Sequence, residues 1–143
     1  MYVKMQDTYN VFFFVILMVC GKTFGCLCPR EEDTRAFFCK QDIVFQGRVM
    51  STVGLLQTES IHDNILMYKV KVEKMFLGYL GPEVWLSTSN GGSSCGVSLD
   101  ENVSYLLTTS WDKRLITCGW NTPMTSLTED DHYVINRKSD CDT

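Results

Sequence analysis

The chain has 143 residues, 13 Lys+Arg against 17 Asp+Glu, and a formal net charge of −4. This is one domain's worth of chain, and 45% apolar residues suffice for a core. The mildly acidic balance, with no basic stripe, argues against a nucleic-acid binder built on phosphate contacts. Three prolines and no repeat or low-complexity tract argue against a largely disordered chain. Seven cysteines are the unusual number: a cytosolic protein would need a redox or metal reason for them, whereas a secreted one uses them as disulfides.

The N-terminus points to secretion. Residues 11–20 read VFFFVILMVC, an unbroken apolar run of ten. A spanning helix needs roughly 20 such residues, whereas ten suits the core of a secretory signal. Small residues at Thr23 and Gly25 favour cleavage after Gly25, with Gly21 as the competing site. The expected division is a signal peptide over 1–25 and a single domain over 26–143. Cys20 leaves with the signal, as do Lys4, Lys22 and Asp7, so the mature chain has 118 residues, six cysteines and a net charge of −5. An even cysteine count in a small secreted chain predicts three disulfides, with 15 possible pairings. Cys26 and Cys28 do not pair with each other, because the ring would be too small.

Along the mature chain, Glu31–Lys40 places acidic residues first and a basic one last, which suits a short helix. Ile43, Phe45 and Val49 alternate with polar or small positions and predict a strand. The polar stretch Ser51–Asn64 reads as a long loop. In Ile65–Phe76, Leu66, Tyr68, Val70 and Val72 alternate with Met67, Lys69, Lys71 and Glu73, predicting a strand with one wet face. A turn at Gly78–Pro82 precedes a third strand, Glu83–Thr88. The loop Ser89–Ser94 (SNGGSS) leads to Cys95. Ser104–Thr109 and Arg114–Cys118 read as two more strands about a turn at Trp111–Lys113. Ser126–Glu129 has a capping-box pattern and opens a C-terminal helix with acidic residues at its start and Arg137 and Lys138 in its last turn. The fold class expected is mainly β: five strands closing as an OB-like Greek-key barrel with flanking helices.

No metalloprotease, nucleophile-elbow or phosphate-loop motif is present. His62 reads as a solvated loop residue, and His132 with Glu129, Asp130 and Asp131 as a solvated helix face. Nothing assembles a nucleophile with a base and an orienter, so the chain reads as a non-enzyme. Asn102-Val103-Ser104 is a permitted N-glycosylation sequon. The remaining chemistry lies at Cys26. As the first mature residue it carries a free α-amine near its own carbonyl, and the two form a five-membered chelate for zinc. With a pKa of about 7.7–8.0, a useful fraction of such an amine is neutral at physiological pH. A catalytic zinc keeps one position open for water or substrate, and a chelating N-terminus would fill it.

These residues match a family. Cys26-Leu27-Cys28 after a signal, Cys39, YKVKVEKMFLG from Tyr68, CGVSLD from Cys95, Tyr105-Leu106-Leu107, Ile116-Thr117-Cys118 and Cys141 together resemble the N-terminal, netrin-like domain of tissue inhibitors of metalloproteinases. The resemblance spans residues 26–141 and implies a secreted inhibitor of matrix metalloproteinases or related metzincins, with no cofactor of its own and the zinc supplied by the target. It implies the pairing Cys26–Cys95, Cys28–Cys118 and Cys39–Cys141. It implies that Cys26 ligates the zinc through its amine and carbonyl and that Leu27 enters the specificity pocket. Cys28, Pro29 and Arg30 would follow the cleft, with Ser93, Ser94 and Cys95 on the other side of the zinc. Extracellular matrix is a second expected partner; nucleic acid and a membrane span are not expected. A non-inhibitory netrin-like module binding matrix or a signalling partner is the alternative. Two departures stand out. Leu27 occupies a position where the family usually has a small hydroxyl residue, and one extra residue lies between Cys28 and Cys39. The sequence ends two residues after Cys141, so the second, cysteine-rich domain of vertebrate members is not expected.

Overall fold

A computed structural model describes residues 26–28, 33–55, 65–90, 95–137 and 141. The expected signal segment, the 56–64 stretch with His62, Pro29, Arg30, Ser93 and Ser94 lie outside the described residues. Five strands form one antiparallel sheet in the order β3-β2-β1-β4-β5, where β1 is Ile43–Leu55, β2 Ile65–Leu77, β3 Glu83–Ser89, β4 Ser104–Thr109 and β5 Asn121–Pro123. Among the described residues two short α-helices, α1 (Thr34–Cys39) and α2 (Glu129–Ile135), accompany the sheet in a mainly β fold.

The central strand β1 is 13 residues long and pairs with both β2 and β4. Its register against β2 shifts at three points, one of them at Gln46/Gly47. Glycine is required there: a Cβ on Gly47 would stand 2.5 Å from Val70 Cγ1 and 2.7 Å from the Phe45 ring. Bulges of this kind bend and twist a long strand. The sheet thereby gains two packed faces. Phe45, Val49, Tyr68, Val70, Leu86 and Leu107 lie in the inner core, whereas Val44, Phe76 and Leu106 meet Phe38, Val134 and Ile135 of the helices on the other face. β4 is buried on both faces, which is why its sequence, SYLLTT, shows little alternation.

The sheet is open. β3 and β5 do not pair with each other among the described residues. The free edge of β3 is covered instead by a strap: Ser87 N donates to Lys113 O, Leu115 N donates to Ser87 O, and Ser87 and Arg114 form a single parallel bridge. The Arg114–Cys118 strand expected from the sequence is this strap, and Leu115 is its one buried anchor. The fifth strand is Asn121–Pro123, paired with Tyr105–Leu107 of β4. A three-residue edge strand ending in proline shows no period-2 signal. The polar Ser51–Leu55 stretch is likewise strand rather than loop. It is paired through Leu55↔Ile65 and capped by Glu101, whose carboxylate accepts from Thr52 N at 2.8 Å.

Asp33 caps α1, its side chain accepting from Arg35 N at 3.0 Å. The helix is shorter than the Glu31–Lys40 expected. Phe37 meets Trp120 edge-on, with ring centroids 5.1 Å apart. The capping box of α2 sits two residues later than Ser126: Thr128 Oγ1 accepts from Asp131 N, and Asp131 accepts from Thr128 N. Ser126 instead ends a 3₁₀ turn, Met124–Ser126.

Residues 95–100 cross the inner core without a strand partner. Buried hydroxyls satisfy their peptide groups. Thr88 Oγ1 accepts from Val97 N at 2.9 Å and donates to Leu115 O at 3.0 Å. Tyr68 OH donates to Val97 O and accepts from Leu99 N, while Tyr105 OH accepts from Asp100 N. On the outer face Glu73 joins three strands, accepting from Arg48 Nε at 2.8 Å, Gln46 Nε2 at 2.7 Å and Ser104 Oγ at 2.9 Å. Partial burial pushes the Glu73 carboxyl up, but these three hydrogen bonds and the Arg48 charge outweigh it and hold the group below the usual glutamate range.

Two outcomes follow. Tyr68→Phe leaves Val97 O and Leu99 N unpaired in the core and lowers stability by about 1–3 kcal/mol in denaturant titration with the disulfides intact. Glu73→Gln lowers stability by about 1 kcal/mol or less at neutral pH, because the site is close to the surface. A depressed folded-state pKa stabilises above the unfolded value near 4.3 and loses that contribution as pH falls through the folded value. The difference between Glu73→Gln and the unmodified protein therefore shrinks below about pH 4.

Candidate N-terminal binding edge

The sulfurs of Cys26 and Cys95, of Cys28 and Cys118, and of Cys39 and Cys141 lie at disulfide distance. These are the three pairs that the resemblance implies. The third ties the C-terminal end of α1 to the segment beyond α2. The first two act together on three consecutive residues. Cys26 and Cys28 have Cα atoms 5.2 and 5.1 Å from those of Cys95 and Cys118. The two bridges lie side by side, with Cys26 Sγ 3.7 Å from Cys118 Sγ. Between them Leu27 is 97% exposed. A lone exposed leucine is ordinary on a protein surface, but this one is held out by a cross-link on each side.

The supports beneath this edge are local. Cys95 begins the 95–100 segment held by Thr88, Tyr68 and Tyr105. Gly96 lies so close to β3 that a Cβ would stand 1.8 Å from Ser89 O. Cys118 sits in a turn closed by Gly119 N donating to Ile116 O, and Asn121 Nδ2 donates to both Ile116 O and Gly119 O. The sulfurs of Cys26, Cys28 and Cys118 lie within 4.8 Å of one another. All three are bonded in disulfides, so they offer no thiolate to a metal.

Of the expected site residues, Cys26, Leu27, Cys28 and Cys95 thus lie together at one edge. Asn102 lies apart from them at the exposed turn before β4, with φ of 64°. Arg48 Nη1 and Val49 O engage its backbone, not its side chain. His132 is exposed on α2. Sequence reading missed the supports Tyr68, Thr88, Tyr105, Thr117 and Asn121. The one available signal was the spacing of Val97 and Leu99 after Cys95, which marks a segment that dips into the core. A cleft between α1 and the 108–119 segment carries charges of both signs, Lys40 and Arg114 with Asp42 and Asp112. There the Ser110 hydroxyl and then the Arg114 N–H hold the Asp112 carboxyl below the usual carboxylate range, against slight desolvation.

Among the described residues no helix is long and apolar enough to cross a membrane. No curated protein matches the chain. The family model described as tissue inhibitor of metalloproteinase matches residues 25–142. Proteins of that family are secreted, bind and inhibit metalloproteinases rather than acting as enzymes, and meet zinc only in the target. The match runs from the residue before Cys26 to the one after Cys141 and encloses all three cross-links, and by it the chain belongs to the tissue inhibitor of metalloproteinase family.

Proposed function

We propose that secretion removes residues 1–25 and that the chain inhibits a matrix metalloproteinase or related metzincin by chelating its catalytic zinc with the amine and carbonyl of Cys26. The observation that carries this reading is the Cys26-Leu27-Cys28 tripeptide, with Leu27 and Cys28 exposed and both ends cross-linked to the neighbouring Cys95 and Cys118 segments. The amine and carbonyl of a single N-terminal residue can chelate a metal at its open position and exclude the attacking water. Binding then orders little that is not already ordered, which removes a cost that flexible peptides incur on association.

In this arrangement Leu27 enters the pocket that takes a substrate side chain. Cys28, Pro29 and Arg30 continue along one side of the cleft, and Ser93, Ser94 and Cys95 line the other side of the zinc. Leucine is larger and less polar than the hydroxyl residue usual at this position in the family. The chain is therefore biased towards targets with deep apolar pockets. Asn102, on its exposed turn, has room for a glycan away from this edge. A matrix-binding role needs no free Cys26, so it is separable from inhibition by experiment.

N-terminal sequencing of secreted protein is expected to begin at Cys26; a start at Lys22 would bury the amine in a peptide bond and defeat the mechanism. Carbamylating the α-amine, or adding one alanine before Cys26, is expected to abolish inhibition while leaving the circular dichroism unchanged; retained inhibition refutes zinc chelation. Leu27→Gly removes a side chain whose burial contributes roughly 1.5–3 kcal/mol. It should therefore weaken inhibition of every target by roughly 10- to 100-fold. Leu27→Thr instead changes the order of preference across a panel of purified metalloproteinases.

A further inference from the structure

We infer that Thr117 is a positioning residue for the N-terminal edge: its hydroxyl locks Cys95 against Cys118, and so sets Cys26 relative to Cys28. The inference rests on the zinc-chelation reading above. Thr117 immediately precedes Cys118, the anchor of Cys28. Its N–H donates to Cys95 O at 2.9 Å and its hydroxyl donates to Gly96 O at 2.8 Å. One residue beside one anchor thus grips two consecutive carbonyls at the other anchor.

Each side of that grip is fixed independently. On the Cys95 side, Gly96 abuts Ser89 O, and Thr88 Oγ1 accepts from Val97 N. On the Cys118 side, Asn121 closes the Ile116–Gly119 turn from both ends. Thr117 links two units that are rigid in themselves but belong to different parts of the chain. The disulfides then carry any relative shift of Cys95 and Cys118 directly to Cys26 and Cys28, whose own Cα atoms lie little more than 5 Å away. Chelation tolerates little of this, because a site must be held to within about 0.5 Å of its productive geometry. Thr117 is itself exposed, so its hydroxyl contributes to placement more than to the core.

The test uses the mature protein, Thr117→Val, Thr117→Ala and Thr117→Ser against the catalytic domain of a matrix metalloproteinase. Association rate, dissociation rate and melting midpoint are measured for each. Valine and alanine remove the hydroxyl and keep the backbone bond; serine restores the donor. Thr117→Val and Thr117→Ala are expected to weaken inhibition roughly tenfold, the worth of one hydrogen bond, through faster dissociation. Thr117→Ser should stay within about twofold of the unmodified protein. Lowered global stability does not mimic this result, since well below the melting midpoint nearly every molecule is folded. Unmodified rates in both Thr117→Val and Thr117→Ala, or a Thr117→Ser as weak as they are, overturn the inference. Carbamylated protein run in parallel separates the two readings. If it still inhibits, zinc chelation fails and this inference fails with it. If it is inactive while Thr117→Val is unchanged, only the role of Thr117 fails.

Discussion

Residues 95–100 enter the core with no strand beside them, and their peptide groups must still be paired there. An unpaired buried donor or acceptor costs about 1–3 kcal/mol. Three side-chain hydroxyls remove that cost: Thr88 from β3, Tyr68 from β2 and Tyr105 from β4. Much else depends on this docking. It fixes Cys95, which holds Cys26. It places Val97 and Leu99 in the inner core, where they cover a face that five strands alone leave open. Thr88 also donates to Leu115 O and so joins the strap along the β3 edge to the same network.

The strap has a second role. An uncovered strand edge invites pairing with another chain, and Lys113–Leu115 blocks part of the β3 edge. The same run of chain continues into Thr117 and Cys118. One segment therefore protects the edge of the sheet and carries the anchor of Cys28. The disulfides add to this from the unfolded side. Their sequence separations are 69, 90 and 102 residues. In the chain-entropy picture each such loop contributes roughly 4–5 kcal/mol. That offsets the thin core of a chain in which several large apolar side chains, Trp111 and Tyr79 among them, remain exposed.

Legibility in the sequence followed the strength of the local signal. The alternation of Tyr68, Val70 and Val72 marks β2 because that strand has one buried and one wet face. The cysteine order and the CGVSLD string pointed to the family, and through it to the pairing. Composition alone left all 15 pairings open. The failures have physical causes. β5 is three residues ending in proline and carries no period. Ser51–Leu55 is polar, yet its backbone is held by pairing with Ile65–Lys69 and by Glu101 rather than by burial. The α2 cap fell on Thr128 because Asp131, one residue beyond the first acidic residues, has the reach to bond back to the cap. The supports of the site were invisible because tyrosine and threonine in a β-rich sequence ordinarily signal only strand.

The two cross-links on one tripeptide explain why C-x-C is worth having when a single disulfide would already tie the terminus down. One bridge leaves the strand free to swing about its anchor. Two bridges to anchors that are distant in sequence and adjacent in space remove that rotation and define a direction for the chain. Fixing a residue's backbone costs roughly 1–2 kcal/mol. Here the cost for Cys26, Leu27 and Cys28 is met during oxidative folding, before any partner arrives. The sulfur atoms thus act only as structure. Under the proposed mechanism, what the arrangement presents to a partner is backbone and Leu27, and its precision is limited by how firmly Cys95 and Cys118 are held to one another.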